Sequence, residues 1–93
     1  MQLYTFILEL KGGTYIKQVS AKNHLFARGK WLQDLEVKEI PGITLADKKK
    51  LLSYDFRDED PIEIKGTKNV WHFLINVKSD VGFVNIIKTS EKL

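Results

Sequence analysis

The stretch LYTFILELKGGTYIKQV, residues 3–19, decides the fold. In its first half Tyr4, Phe6, Leu8 and Leu10 alternate with Leu3, Thr5, Ile7 and Glu9. Strand side chains point alternately to opposite faces, so one face of this segment is wholly apolar and the other partly so. Lys11-Gly12-Gly13 supplies residues for the positive-φ positions of a tight turn, and Thr14 to Val19 returns as a second strand. The chain therefore opens with a hairpin covered on one side and partly sheltered on the other.

Downstream of this hairpin the period changes. Ser20 or Asn23 can cap a helix by accepting from an otherwise unpaired backbone N–H. Ala27, Trp31 and Leu35 recur at helical spacing, and Leu32 with either His24 or Phe26 widens the stripe. A helix over about Lys22 to Leu35 is expected, with Gly29 costing about 1 kcal/mol against Ala. That glycine is expected to let the helix approach the sheet closely. Pro41-Gly42 is a turn signal. Thr44 and Asp47 have capping-box spacing ahead of a short second helix, Lys48 to Tyr54, whose three lysines would face solvent. Asp55 to Pro61 reads as a polar loop.

The remainder is strand-like. Ile62 and Ile64 alternate with Glu63 and Lys65, and Gly66 to Asn69 turns the chain. In Val70 to Val77, residues Trp71, Phe73, Ile75 and Val77 share one face and Val70, His72 and Leu74 the other. Lys78-Ser79-Asp80 turns again, and Val81 to Lys88 closes the series before a tail, residues 89–93, expected to fray. The order β-β-α-(α)-β-β-β with hairpin-length connections predicts antiparallel neighbours. The predicted fold is α+β: a single domain over residues 1–93, a two-layer sandwich with a five-stranded, mainly antiparallel sheet and the helices on one face.

Composition narrows the functional classes. Ninety-three residues make one domain, and 43% hydrophobic residues with ten aromatics are too many for a disordered chain. The apolar runs are far shorter than the roughly 20 residues of a membrane span. No signal peptide is visible, and cysteine is absent, which removes disulfides, thiolate metal sites and thiol nucleophiles. A cytoplasmic protein is expected. The net charge of +3 is unevenly spread: residues 1–54 hold nine basic and five acidic groups, whereas residues 55–60 hold four acids and one Arg.

No catalytic set assembles from these residues. Asp55, Asp58, Glu59 and Asp60 concentrate carboxylates, yet their spacing lacks the alternating pattern of a calcium loop, so a solvated loop is the plainer reading. His24 and His72 lack ligand-like spacing, and no nucleophile or orienting acid is identifiable beside His72. Gly12-Gly13 lies between antiparallel strands, not before a helix that could cradle phosphate. No cofactor, metal or small-molecule ligand is implied, and the expectation is a non-enzymatic protein.

Two binding readings follow. Leu3, Ile7, Val70, His72 and Leu74, with Tyr15 beside them, would leave the second sheet face apolar beyond the few hundred Å² a monomer usually exposes. A homodimer or another protein partner is expected to cover it, unless the middle segment does. The alternative is a nucleic-acid module in which Lys48, Lys49, Lys50, Lys17 and Arg28 contact phosphates and an exposed Tyr15 or Trp71 stacks on bases.

The Gly12-Gly13-Thr14-Tyr15 turn of the hairpin and the helix after it resemble the start of small bacterial antitoxins of the HicB type, over about the first 35 residues. That family has a strand between hairpin and helix, absent here, and three strands follow the helix instead. No functional residue is carried over.

Overall fold

Two residues set the first hairpin. Lys11 and Gly12 have φ of 49° and 79°, and two left-handed residues give the turn whose twist matches paired strands. The turn joins β1 (Gln2–Leu10) to β2 (Gly13–Ala21) and fixes their register at Leu8↔Tyr15 and Ile7↔Ile16. A second two-residue turn, with Lys78 at φ 58°, joins β4 (Val70–Val77) to β5 (Asp80–Thr89). β5 pairs with β1 through Phe6↔Ile86, and the short β3 (Ile62–Glu63) pairs with β4. The sheet order is β2-β1-β5-β4-β3, with every neighbouring pair antiparallel. This computed structural model describes residues 1–54 and 59–90.

The α1 helix (His24–Gln33) starts where the Asn23 side chain accepts from the Phe26 N–H at 3.0 Å. A 3₁₀ turn over Val37–Glu39 leads to Pro41-Gly42, where Gly42 takes φ 96° and the flanking Ile40 and Ile43 are buried. The α2 helix (Leu45–Ser53) opens with a full capping box. Thr44 Oγ1 accepts from the Asp47 N–H at 3.2 Å, and Asp47 Oδ2 accepts from the Thr44 N–H at 2.9 Å. The Thr44 N–H, and then the Thr44 hydroxyl donating to the same Oδ2 at 2.9 Å, hold the Asp47 carboxyl below its usual value; burial opposes the shift, and Lys78 and Lys50 add to it.

Both helices lie on the face carrying Tyr4, Phe6, Leu8, Phe73, Ile75, Val84 and Ile86, giving the two-layer α+β sandwich that the chain order predicts. Its centre is aromatic. Trp31 stacks on Phe6 at 5.2 Å and 7°, and meets Phe73 edge-on at 5.9 Å and 86°. Gly82 lies beneath this layer for a steric reason. A Cβ there would stand 2.7 Å from Ile75 Cγ1 and 3.0 Å from Leu8 Cδ1, so any larger residue would force those side chains to shift.

Several expectations require correction. The first helix is shorter than Lys22 to Leu35, because Asn23 caps it and the Asp34 N–H closes its last turn onto Lys30 O. Gly29 does not bring the helix close to the sheet: it is exposed, and a Cβ there would touch nothing. The second helix starts at Leu45, as its capping box dictates, and of the three lysines Lys48 is half-buried with Nζ donating to Leu35 O at 2.9 Å. Thr89, placed with the tail, is the last residue of β5 and pairs with Leu3. Tyr15 points inward: with Leu8↔Tyr15 fixed by the turn, it shares Leu8's face and packs against the core.

Candidate functional site

The sheet face away from the helices is built in rows, because cross-strand partners in an antiparallel sheet project to the same side. Its central row runs Ile16, Ile7, Asn85, His72 and Ile62 from β2 to β3. On one side lies Thr14, Glu9, Phe83 and Leu74; on the other, Gln18, Thr5, Ile87 and Val70. Ser20, Leu3 and Thr89 form the next row at one end, with Asn76 and Val81 at the opposite corner. The five positions nominated from sequence, Leu3, Ile7, Val70, His72 and Leu74, all project to this side. Leu74 is exposed, and the other four are half-buried by their neighbours.

The most exposed apolar groups on this face were not nominated. Ile62 is 72% exposed, Ile16 66% and Phe83 52%, with Val81 next to Phe83 on β5 at 42%. Ile16 becomes readable only when the turn fixes its pairing with Ile7. Phe83 was hidden because Phe83, Val84, Ile86 and Ile87 put bulk on both sides of β5, and alternation then names neither face. Among the described residues both helices pack on the opposite side, so neither helix covers this one.

Two further properties define the face. Across its four long strands Glu9 is the only Asp, Glu, Lys or Arg that projects outward, in a chain that is 29% charged. Its polar side chains are also paired with one another. His72 Nδ1 lies 3.1 Å from Asn85 Oδ1, and Gln18 Nε2 donates to Thr5 Oγ1 at 3.0 Å. Thr5 and Thr89 share a hydroxyl–hydroxyl hydrogen bond, and the Thr89 hydroxyl also lies 3.0 Å from Ile87 O as a donor. Burying a polar group is costly chiefly when it loses its partner, so these groups can leave water at low cost. The less paired residues, Thr14, Glu9, Ser20 and Asn76, stand at the ends of the strands. The face carries exposed apolar groups at Ile16, Ile62, Phe83 and Leu74, with hydrogen-bonded polar side chains between them.

The basic residues nominated for nucleic acid do not converge. Arg28 is buried: Nη1 donates to Glu59 O at 2.7 Å, and the guanidinium carbon lies 5.6 Å from the Phe73 ring centroid. Burial pulls its pKa down, opposed by Asp60 and then Glu59. Lys17 projects to the helix side of the edge strand β2, Lys48 is tied to Leu35, and Lys49 and Lys50 alone lie exposed on α2. Trp71 is not an open stacking platform, since the His24 ring lies parallel to it at 4.4 Å and 7°. Burial lowers the His24 pKa below 6.5, with Asp60 opposing, Arg28 reinforcing and Glu63 opposing.

In the acidic loop, Asp55 and Asp58 lie outside the described residues. Glu59 Oε1 accepts from the Tyr54 hydroxyl at 2.6 Å while its carbonyl receives Arg28. Among the described residues no group of three or more His, Asp or Glu gathers as a metal site, and no helix is long and apolar enough to cross a membrane. No protein family, curated protein or solved structure matches the chain.

Proposed function

We propose that this chain is a non-enzymatic, cytoplasmic binding domain whose outer sheet face docks a protein surface. The observation that carries the reading is the exclusion of charge from the four long strands of that face, where Glu9 alone interrupts it. A sheet face meant for water alternates apolar-in with charged-out; here most outward positions are apolar or carry a polar group hydrogen-bonded to a neighbour on the same face. Phosphate binding requires the opposite, a surface where lysines and arginines gather. Arg28, Lys17 and Lys48 are each drawn elsewhere by packing, which favours the protein-docking reading over the nucleic-acid one.

The test is an affinity capture from host lysate with the wild-type chain and with Leu74→Lys, each with and without nuclease. Leu74 is exposed, so the substitution leaves the core intact, to be checked by circular dichroism. Proteins held by the wild type and lost with Leu74→Lys, irrespective of nuclease, are the expected result. The same proteins on both baits would refute the docking face. Material lost only after nuclease would transfer the function to the lysines.

A further inference from the structure

Resting on that docking face, we infer that its occupant is a second copy of this chain, packed sheet against sheet about a two-fold axis near Ile7 and Asn85. Charge favours this occupant. A two-fold interface sets each surface against itself, so any cluster of one sign would face its own like charge. Here the only outward Asp, Glu, Lys or Arg on the four long strands is Glu9, which stands away from the central row. Two chains of net charge +3 repel least when they meet on the face that their lysines avoid.

Hydrogen bonding is compatible with the same occupant. His72 with Asn85, Gln18 with Thr5, and Thr5 with Thr89 each make a hydrogen bond within one copy. Part of the polar demand of the face is thus met before it docks, and an identical face provides apolar cover for Ile16, Phe83 and Leu74. Four strands about 4.8 Å apart and about 25 Å long present roughly 20 by 25 Å. That footprint, about 500 Å² per partner and about 1,000 Å² in all, reaches the lower bound for a specific interface. Aligned sheets packing about 10 Å apart and some 30° off parallel would interdigitate Phe83, Leu74 and Ile16 with their counterparts.

Association through the sheet edge is the competing route, and at β2 the structure blunts it. On that edge Lys17 points inward, an arrangement that discourages a further strand.

Sedimentation equilibrium from about 1 to 100 µM tests the proposal. The expected species has twice the 10.8 kDa of the chain. Phe83→Lys and Ile16→Lys, on different strands, should each weaken the dimer by about 100-fold or more, since every substitution enters the interface twice. Circular dichroism and a cooperative melt check their folds, and Phe83→Ser serves if the lysine variant fails to fold. Lys17→Thr should leave the dimer unchanged. A wild type that stays monomeric at about 100 µM overturns the second copy. If that monomer still captures a lysate protein that Phe83→Lys loses, the docking face stands with a different occupant. If it captures none in a face-dependent way, both readings fall. A dimer that persists in both lysine variants also overturns the second copy at this face, placing self-association elsewhere, and leaves the docking face to be decided by the capture.

Discussion

Replacing Arg28 with Met should loosen one corner of the fold by an amount that the structure sets. The Arg28 side chain leaves α1, passes over the Phe73 ring and ends with Nη1 donating to Glu59 O at 2.7 Å. That hydrogen bond ties the segment leading into β3 to the helical layer, and only two residue pairs hold β3 to the sheet. A hydrogen bond from a charged donor contributes about 1.5–3 kcal/mol, and a cation over a ring about 0.5–1 kcal/mol. Two effects reduce the loss. Glu59 is exposed, so water can take over its carbonyl, and removing the buried guanidinium relieves a desolvation cost. Met keeps an apolar stem against Phe73, so the lost polar contacts dominate. The net expectation is a loss of about 1.5 kcal/mol, or a fall in Tm of roughly 6–12 °C for a domain of this size. Arg28→Ala, which also removes the stem, should cost about 3 kcal/mol.

Urea denaturation would give the stability change, and amide exchange would locate it. The Ile64 N–H, bonded to Val70 O at 2.9 Å, should exchange faster by more than the global loss predicts. The Phe6 and Leu8 amides in β1 should change only by the global amount. A Tm within about 2 °C of wild type, together with unchanged Ile64 exchange, would refute the anchoring role.

Two glycines should respond in opposite directions. Gly29→Ala should stabilise by about 0.5–1 kcal/mol, since the site is exposed, helical and open to a Cβ. Gly82→Ala should destabilise by about 1–3 kcal/mol, since Ile75 and Leu8 must move; melts of the two variants check both signs. For His24, whose folded pKa lies below 6.5, the unfolded chain takes up the proton first as the pH falls. Stability should therefore drop as the pH goes from about 7 to 5, and His24→Gln should lack that share of the drop; a pH series of melts decides it.

Periodicity in the chain determined the elements and their class. Tyr4, Phe6, Leu8 and Leu10 specify a strand face, Lys11-Gly12 a two-residue turn, and Ala27, Trp31 and Leu35 a helix stripe. Each is a local signal, carried by neighbours within a few positions, and with hairpin-length connections they imply an antiparallel sheet under a helical layer. The outward side of β1 and β4 was legible for the same reason, through Leu3, Ile7, Val70, His72 and Leu74. Other features depend on register and distance. Tyr15 points inward and Ile16 outward only because the turn sets Leu8 opposite Tyr15. β5, with bulk on both sides, acquires its faces only when inserted between β1 and β4, which turns Phe83 outward and seats Gly82 against Ile75 and Leu8. Arg28 and Lys48 read as surface cations until packing brings Glu59 O and Leu35 O within reach, 31 and 13 residues away. The pairing of His72 with Asn85 and of Thr5 with Gln18 and Thr89 spans strands distant in the chain. A hydrophobic pattern records which residues avoid water; which polar groups satisfy one another depends on tertiary contact.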